Sequence, residues 1–369
     1  MRLAAVCLAL AGLVVGRAAI ADATSSRPFR AEPLAFTALD GWAGDDHAAA
    51  FAVFRRSCPG VIDGGTAGRA RPPEKALIAA CRAALNEAEP SPAEARRFFE
   101  TRFEPVEILP ESGAGFLTGY FEPEYRGSLQ RSEVFATPLL ALPQGRRDGA
   151  YPDRAAIEDG ALGEEARPLL FLADPIEAFL VHVQGSARIR LDDGRVLRVA
   201  FAGRNGQPYT SIGRVLSEQK GIPPAQMDMA GLVAWLRAHP AEARDVMRLN
   251  RSYIFFRVAQ ELAADDGAIG GAGIPLAAGR SLAIDRAFWT YGLPVWLEGM
   301  LPLPTGGEEK LRRLTVAQDT GSAIVGAARG DLFFGSGPDA GARAGLVRHR
   351  VRFVVLRPRP AEPNAADRE

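Results

Sequence analysis

Three aspartates in the last third of the chain are the residues best placed to do chemistry: Asp285, Asp319 and Asp331. Each stands at the edge of an apolar, β-forming segment and is flanked by glycine-rich turns. A carboxylate in such a segment has to be solvated, hydrogen-bonded or functional, because burying an unpaired charge is costly. A capped turn or a satisfied core acid explains any single one of them better than catalysis does. Three together favour a shared cleft, although their spacing does not establish that they meet in space.

The segment Asp319–Ser322 has a second interpretation, since Asp-Thr-Gly-Ser after an apolar strand is typical of the active-site loop of aspartic proteases. Those enzymes need two such carboxylates that share one proton. The chain contains no second Asp-Thr-Gly or Asp-Ser-Gly, so a protease of this type would have to be a homodimer. This is the most remote of the hypotheses that the residues allow.

Other motifs with a chemical interpretation are weaker. The glycine-rich run 267–273 lacks the Gly-Lys-Ser/Thr ending of a phosphate loop, so we predict a flexible loop. Ser186 lacks the second glycine of a nucleophile elbow, and His182, expected on the same strand, is interpreted as a packed or rim residue. The cysteines and histidines show no ligand spacing, so the sequence predicts neither a metal site nor a cofactor.

The elements that must position these residues change in character along the chain. Residues 22–100 are predicted to be mostly helical, with a capping box at Ser91 and Glu94 that starts the helix carrying an aromatic cluster. Short strands follow from about residue 104, and the alternation around Asp193-Gly194 predicts a hairpin over 187–201. Helices are predicted within 211–249, and strands again over 250–358. The pattern indicates an α+β, mainly β protein. The aromatic cluster consists of Phe98, Phe99 and Phe103.

Composition bounds the function further. Hydrophobic residues make up 47% and charged residues 24% of the 369 residues, the balance of a globular protein with a sizeable core. Lys+Arg and Asp+Glu are both 44, so the net charge is zero. Nucleic-acid binders usually carry a basic excess, and we therefore expect no nucleic-acid partner.

The first residues predict export. Arg2 precedes an apolar run, and Ala19-Ile20-Ala21 offers a small-x-small cleavage site, which is the pattern of a signal peptide over 1–21. Cys7 lies inside this segment, and the large Val6 before it argues against a lipid-anchor site. Cys58 and Cys81 could form a disulfide in an oxidising compartment or stay as buried thiols, and both alternatives remain open.

Taken together, these segments resemble the membrane-bound lytic murein transglycosylase A family, including its three-aspartate module. The ordered matches begin in the first β-forming segment and continue through the last third, so the resemblance covers most of the mature chain. One departure is Ser322, where the family has a further glycine. The matching segments are Thr118–Pro123, Gln184–Ser186, Gly203–Gly213, Asn250–Phe256, Gly279–Asp285, Ala317–Ile324 and Gly330–Gly335.

The resemblance implies a fold. A double-psi β-barrel would be built from residues 100–122 and 250–358, and a second β-domain over 123–249 would be inserted between these segments. A substrate groove would lie between the two domains. The N-terminal helical region, 22–99, would pack on the barrel, and 359–369 would form a flexible tail.

The resemblance also implies a reaction, cleavage of the β-1,4 bond between N-acetylmuramic acid and N-acetylglucosamine with closure of a 1,6-anhydro ring. Asp331 matches the family's catalytic aspartate, with a pKa raised by its apolar neighbours and by Asp319 if that lies close. Asp319 is assigned substrate orientation and electrostatic support, and Asp285 a structural role. Candidate glycan contacts are Thr118, Tyr120, Glu122, Gln184, Asn205, Tyr209 and Gly321.

We therefore expect a monomeric periplasmic enzyme whose partner is the glycan strand of peptidoglycan. The missing lipid-anchor signal makes membrane attachment a weaker expectation, although a loose association with the outer membrane or wall machinery is compatible with the family's name. The main alternatives are a glycan-binding barrel protein without catalysis, because fold does not fix function, and a glycan hydrolase.

Overall fold

The structure, a computed structural model, describes residues 29–64, 71–111, 113–144, 151–223, 226–227, 229–260, 262 and 266–360. The predicted signal peptide with Cys7 and nearly all of the predicted tail lie outside these residues. Within the described ranges no helix combines the length and the apolar character needed to cross a bilayer.

In the part of the N-terminal region that the structure describes, there are one strand and three α-helices. The helix α3 begins at the predicted capping box, in which Ser91 and Glu94 satisfy each other's backbone N–H groups. The strand was not anticipated, because residues 22–100 were predicted to be mostly helical. It forms because residues 29–33 find a partner far along the chain, in antiparallel register with residues 106–110. The elements are β1 (Phe29–Pro33), α1 (His47–Ile62), α2 (Lys75–Asn86) and α3 (Pro92–Arg102).

Aromatic rings and a disulfide hold these helices together. The ring of Phe54 contacts those of Phe98, Phe99 and Phe103 at centroid distances of 5.9, 5.9 and 5.7 Å, as the predicted cluster requires. A disulfide joins α1 to α2 through two cysteines whose Cα atoms lie 4.9 Å apart, so of the two alternatives the structure has the bridge. The bonded residues are Cys58 and Cys81.

An eight-stranded sheet, here called the barrel sheet, carries the three aspartates. Its strand order is β1-β2-β14-β11-β12-β10-β13-β3, and an additional pairing of β14 with β3 closes the last six strands into a barrel. Helix α9 (Pro338–Ala344) connects the two strands that come last in the sequence, β13 and β14. The strands are β2 (Phe103–Pro110), β3 (Gly115–Glu122), β10 (Ser281–Ile284), β11 (Pro294–Pro302), β12 (Glu308–Asp319), β13 (Arg329–Ser336) and β14 (Arg348–Pro358).

A six-stranded second sheet, of order β5-β6-β4-β7-β8-β9, is inserted between β3 and β10. It contains the predicted hairpin as β7 and β8, and the predicted helices within 211–249 form as α6 to α8. The strands are β4 (Glu124–Ser128), β5 (Thr137–Leu140), β6 (Pro168–Leu172), β7 (Ser186–Leu191), β8 (Val196–Arg204) and β9 (Ile254–Val258). The helices are α4 (Arg154–Glu158), α5 (Pro175–Gln184), α6 (Ile212–Lys220), α7 (Met229–Ala238) and α8 (Pro240–Arg248).

Two expectations need correction here. Residues 254–258 were assigned to the barrel, but β9 pairs with β8 because Phe256 packs into the core of the second sheet. His182 was expected on a strand, but it lies in α5, which is started by the Asp174 cap and Pro175 and ended by Gly185 in the left-handed region (φ 87°).

The architecture confirms the predicted α+β class with a barrel and a second β-domain. The largest core cluster spans the barrel and the N-terminal helices, with Trp296 and Phe353 from the barrel and Phe54 from α1. The second sheet has separate clusters of its own. The N-terminal helices therefore pack on the barrel and share its core.

Candidate active site

Strand register brings two of the three aspartates onto one face of the barrel. Asp331 on β13 lies opposite Thr118 on β3 and, on its other side, opposite Ala283 on β10. Ala283 in turn lies opposite Asp319 on β12. Residues opposite each other on neighbouring strands point to the same face. The two carboxylates therefore face the same way and are separated by one intervening strand.

An irregularity in β12 makes this arrangement possible. The β10–β12 register shifts between Leu282 and Ala283, so that Gln318 is an extra residue and its side chain points into the core. The Gln318 amide donates to Ser57 Oγ (2.8 Å) on α1 and accepts from Ser281 Oγ (2.5 Å). The buried amide anchors the strand end, and the next residue, Asp319, is aimed outward.

Asp331 is held through only one of its oxygens. Thr118 Oγ1 donates to Asp331 Oδ1 at 2.5 Å, and Arg329 Nη2 donates to Thr118 Oγ1 at 2.7 Å. Among the described residues no group forms a hydrogen bond with Oδ2, although the side chain is only partly exposed. Burial raises the pKa of Asp331 from 3.8 to about 6, against the Thr118 hydrogen bond and the Arg329 charge, and the Asp319 charge raises the pKa further.

Asp319, by contrast, accepts hydrogen bonds through both of its oxygens. Its Oδ2 accepts from the Tyr120 hydroxyl (2.7 Å), and its Oδ1 accepts from the backbone N–H of Gly271 (2.7 Å) and of Thr320 (2.8 Å). Burial raises the pKa of Asp319, and the three hydrogen bonds oppose that rise. The pKa of the Tyr120 phenol is raised well above its usual value by burial and then by the charge of Asp319, so it stays a donor at neutral pH.

Asp285 holds a turn. Its carboxylate accepts from the backbone N–H of Ala287 (2.9 Å) and of Gly326 (2.7 Å). Gly326 lies in the loop between β12 and β13, so Asp285 pins the segment that connects the two outward-facing aspartates. Gly321 is exposed in the same loop. The structure thus brings Asp319 and Asp331 together and gives Asp285 a supporting position.

Glu122 and Asn205, two of the candidate glycan contacts, are buried and already bonded to groups of the protein. Glu122 is 1% exposed and pairs with Arg188 (3.0 Å) and Arg198 (3.5 Å), which links the end of β3 to the second sheet. Asn205 is fully buried, and its amide bonds four backbone groups. Those groups are Pro152 O, Arg251 O, Gln207 N–H and Tyr253 N–H.

The remaining predicted contacts are spread over both sheets. Thr118 and Tyr120 lie beside the aspartates and donate to them. Tyr209 is half-buried near Arg154, and burial raises the pKa of its phenol. Gln184 is the part-buried last residue of α5.

Arg329 was missed by the sequence analysis. It stands two residues before Asp331 on the same strand, and strand alternation puts residues i and i+2 on one face. That alternation was the available signal. Arginine is so frequent in this chain that a single arginine near an aspartate is not a distinctive sequence signal.

A cavity in the second sheet does not contain the aspartates. It measures about 650 Å³ and lies among α4, α5 and α8 of the second sheet, with Arg154, His182 and Tyr253 in its wall. Volume alone does not identify an active site. The raised pKa values and the free carboxylate oxygen favour the barrel face.

Comparisons with known proteins agree with the architecture. Two family profiles match, "MltA specific insert domain" over residues 116–257 and "3D domain" over 280–357. The membrane-bound lytic murein transglycosylase A of Escherichia coli K12 is 35% identical over 252 residues, which cover 67% of this chain and 67% of that protein.

Solved structures are similar over most of the chain. A membrane-bound lytic murein transglycosylase from Agrobacterium tumefaciens has a TM-score of 0.77 and 33% identity, covering 89% of this chain and 98% of that one. E. coli MltA with bound chitohexaose has a TM-score of 0.68 and 27% identity, covering 90% of this chain and 95% of that one.

Proposed function

The chain belongs to the membrane-bound lytic murein transglycosylase A family, as its motifs predicted, and is an enzyme that acts on peptidoglycan; from this premise we propose how it acts. It cuts the β-1,4 bond between N-acetylmuramic acid and N-acetylglucosamine and closes a 1,6-anhydro ring, with Asp331 as the single acid and base. The observation that carries the proposal is the half-free carboxyl of Asp331, whose pKa is raised to about 6.

The reaction needs one carboxyl group rather than two. Hydrolytic glycosidases use one carboxyl to protonate the leaving oxygen and a second to attack the sugar or activate water. In ring closure the nucleophile is the C6 hydroxyl of the same sugar, so proximity replaces activation of a water. Asp319 fits no second catalytic role of this kind, because both of its oxygens already accept hydrogen bonds.

The hydrogen-bond donors around Asp331 determine which of its two oxygens carries the catalytic proton. The Arg329 guanidinium can only donate, so Thr118 Oγ1 accepts from it and must give its single proton to Asp331 Oδ1. A proton on the Asp331 carboxyl is then left to Oδ2, the oxygen without a partner among the described residues. Arg329 and Thr118 together fix where the acid holds its proton.

One proton cycle completes the reaction. Asp331 Oδ2 gives its proton to the glycosidic oxygen as the C1–O bond breaks, and N-acetylglucosamine leaves as the alcohol. The carboxylate then takes the proton of the C6 hydroxyl as O6 bonds to C1. No water is consumed and the enzyme regains its acid form. The fixed charge of Asp319 opposes early ionisation of Asp331 and stabilises positive charge that develops on the sugar.

Thr118 and Tyr120 are the predicted contacts best placed to meet a strand bound over Asp331. The exported, periplasmic location and the monomeric state follow from the sequence analysis and belong to the same proposal. The chitohexaose bound to the similar E. coli MltA supports a glycan strand as the ligand of this fold.

Incubation with purified murein sacculi, followed by mass spectrometry of the released fragments, tests the proposal. We expect 1,6-anhydro ends from the natural protein and none from Asp331→Asn. Reducing ends would indicate a hydrolase. Sedimentation with the sacculi without any release would indicate a binding protein, and either result would overturn the proposed reaction.

A further inference from the structure

A second row of side chains lies beside the catalytic one on the same face of the barrel. Phe116 on β3 is opposite Arg329 on β13 and opposite Arg350 on β14. It precedes Thr118 by two residues, so the row lies about 7 Å along the strand from the pair formed by Thr118 and Asp331.

This row exposes an aromatic ring between two cations. Phe116 is 40% exposed, although most phenylalanines of the chain are in the core. The Arg329 guanidinium lies over its ring, 5.4 Å from the centroid. Arg350 is exposed and has no ion pair or side-chain hydrogen bond among the residues that the structure describes. Its charge is therefore available to a ligand.

The neighbouring charges leave the row positive. Next along β14 is Arg352, which already pairs with Glu107 (2.8 Å) and Glu298 (3.3 Å). A crevice of about 310 Å³ opens beside Arg350, and its wall also contains Arg352 with its ion-pair partners Glu107 and Glu298. The row thus combines an open apolar surface and a free cation two residues along the strand from Thr118, and the crevice adjoins the row at Arg350.

We propose that Phe116, Arg329 and Arg350 form a subsite for the carboxylate-bearing peptide attached to the murein strand. The inference rests on the proposed function. N-acetylmuramic acid carries a lactyl group and a short acidic peptide. This substituent is on the same ring whose C1 reacts at Asp331, so the peptide starts within about the width of one sugar ring of the reacting bond. Guanidinium groups bind carboxylates with two parallel hydrogen bonds, and an exposed ring takes apolar parts of a peptide.

The experiment compares two substrates that differ only in the peptide: glycan strands released from sacculi, and the same strands after an amidase has removed the peptides. For Arg350→Gln we expect the ratio of kcat/KM on peptide-bearing to peptide-free strands to fall about 10-fold, the size of one charge-assisted hydrogen bond. Phe116→Ala should lower the ratio by a similar factor of about 10, because it removes an apolar contact surface. Arg350→Glu should lower the ratio further, because it places a negative charge beside the peptide carboxylates.

Arg357→Gln is the matched control, since Arg357 is exposed on the same strand and pairs in register with Glu104, far from Phe116. Its ratio should stay at the natural value. An unchanged ratio in both Arg350 variants would overturn the subsite, and these remain informative if Phe116→Ala fails to fold. Loss of binding to anionic phospholipid vesicles with an unchanged ratio would assign the row to a membrane surface instead.

Failure of the proposed function would look different. If Asp331→Asn retained activity on both substrates, the assigned acid would be wrong whatever the Arg350 variants do. If Asp331→Asn is inactive on both and the Arg350 ratio is unchanged, only the peptide subsite is lost.

Discussion

Polar side chains cluster around Asp331 in the barrel and around Asn205 and Arg154 in the second sheet. The two clusters differ in how many of their hydrogen-bonding atoms already have a partner in the protein. In the second sheet, Asn205 bonds four backbone groups, and Arg154, 2% exposed, donates to Asn250 O and Ser252 O. Such groups shape the chain around them. In the barrel, Asp331 has one oxygen held and one free. The unbonded oxygen distinguishes Asp331 from Asn205 and Arg154, whereas polarity and burial do not.

His182 of the second sheet is also a structural residue, although only its Nδ1 has a hydrogen-bond partner among the described residues. Its Nδ1 accepts from the backbone N–H of Ile254 (3.3 Å), and its ring packs on Tyr253 at 4.2 Å. Burial and then the Arg154 charge lower its pKa well below the usual value. The imidazole therefore stays neutral and supports the β9 end of the sheet.

The largest effect expected from this comparison is that of Asp331→Asn. Turnover on sacculi should fall about 10³-fold, since a positioned acid contributes 10²–10⁴-fold. Folding should be preserved, which thermal unfolding would check.

The difference in stability between the natural protein and Asp331→Asn should also depend on pH in a defined direction. The pKa of Asp331 is raised in the folded state, from 3.8 to about 6, so ionisation of this group opposes folding. Below about pH 4 the difference in stability between the two proteins should be constant, and as the pH rises from about 4 to about 6 the natural protein should lose stability relative to the variant, with no further change above that range. The opposite trend would contradict the assigned environment of Asp331.

The second effect tests the other cluster. Asn205→Ala should lower the free energy of unfolding by about 3 kcal/mol, because buried backbone groups lose their partners. Urea unfolding measures this loss. Turnover per folded molecule should fall far less than in Asp331→Asn. Unchanged stability with weakened binding to sacculi would break the comparison and return Asn205 to the glycan contacts.

Much of the local structure could be predicted from the sequence. The capping box at Ser91, the hairpin around Asp193-Gly194 and the helices within 211–249 are short-range patterns, and each forms as predicted. The strand Phe29–Pro33 could not be predicted, because its pairing partner stands more than 70 positions along the chain. The barrel itself came from the resemblance and not from periodicity.

Some features of the candidate active site could likewise be predicted from the sequence, and others could not. The apolar context of Asp319 and Asp331 marks them in the sequence, but register decides that they share a face. The roles of Glu122 and Asn205 could not be inferred, because an ion pair to Arg188 and bonds to distant backbone depend on tertiary structure. Residue type predicts which hydrogen bonds and proton transfers a side chain can make, but only the fold determines which of its atoms remain unbonded and accessible to a substrate.

The third effect is that of Asp319→Asn, which should lower turnover about 10-fold, because the variant loses a supporting charge but keeps the strand geometry. Its diagnostic feature is the pH profile. Asp331 must be protonated to act, so kcat/KM of the natural protein should fall as the pH rises through about 6. Removing the Asp319 charge lowers the pKa of Asp331, so this fall should move to lower pH. An inactive Asp319→Asn beside an active Asp331→Asn would reverse the two roles.

The smallest effect, and the sharpest in sign, is expected of Thr118→Val, which keeps the shape of the side chain but removes its hydroxyl. The hydrogen bond from Thr118 lowers the pKa of Asp331, so its loss should move the fall in kcat/KM to higher pH, opposite to Asp319→Asn. We expect a displacement of about 1 pH unit or less, and a turnover reduced a few-fold because the proton is no longer confined to Oδ2. Arg329→Met should move the profile in the same direction, since it removes a cation that also lowers this pKa. If Thr118→Val and Asp319→Asn shifted the profile the same way, the acid followed by that profile would not be Asp331.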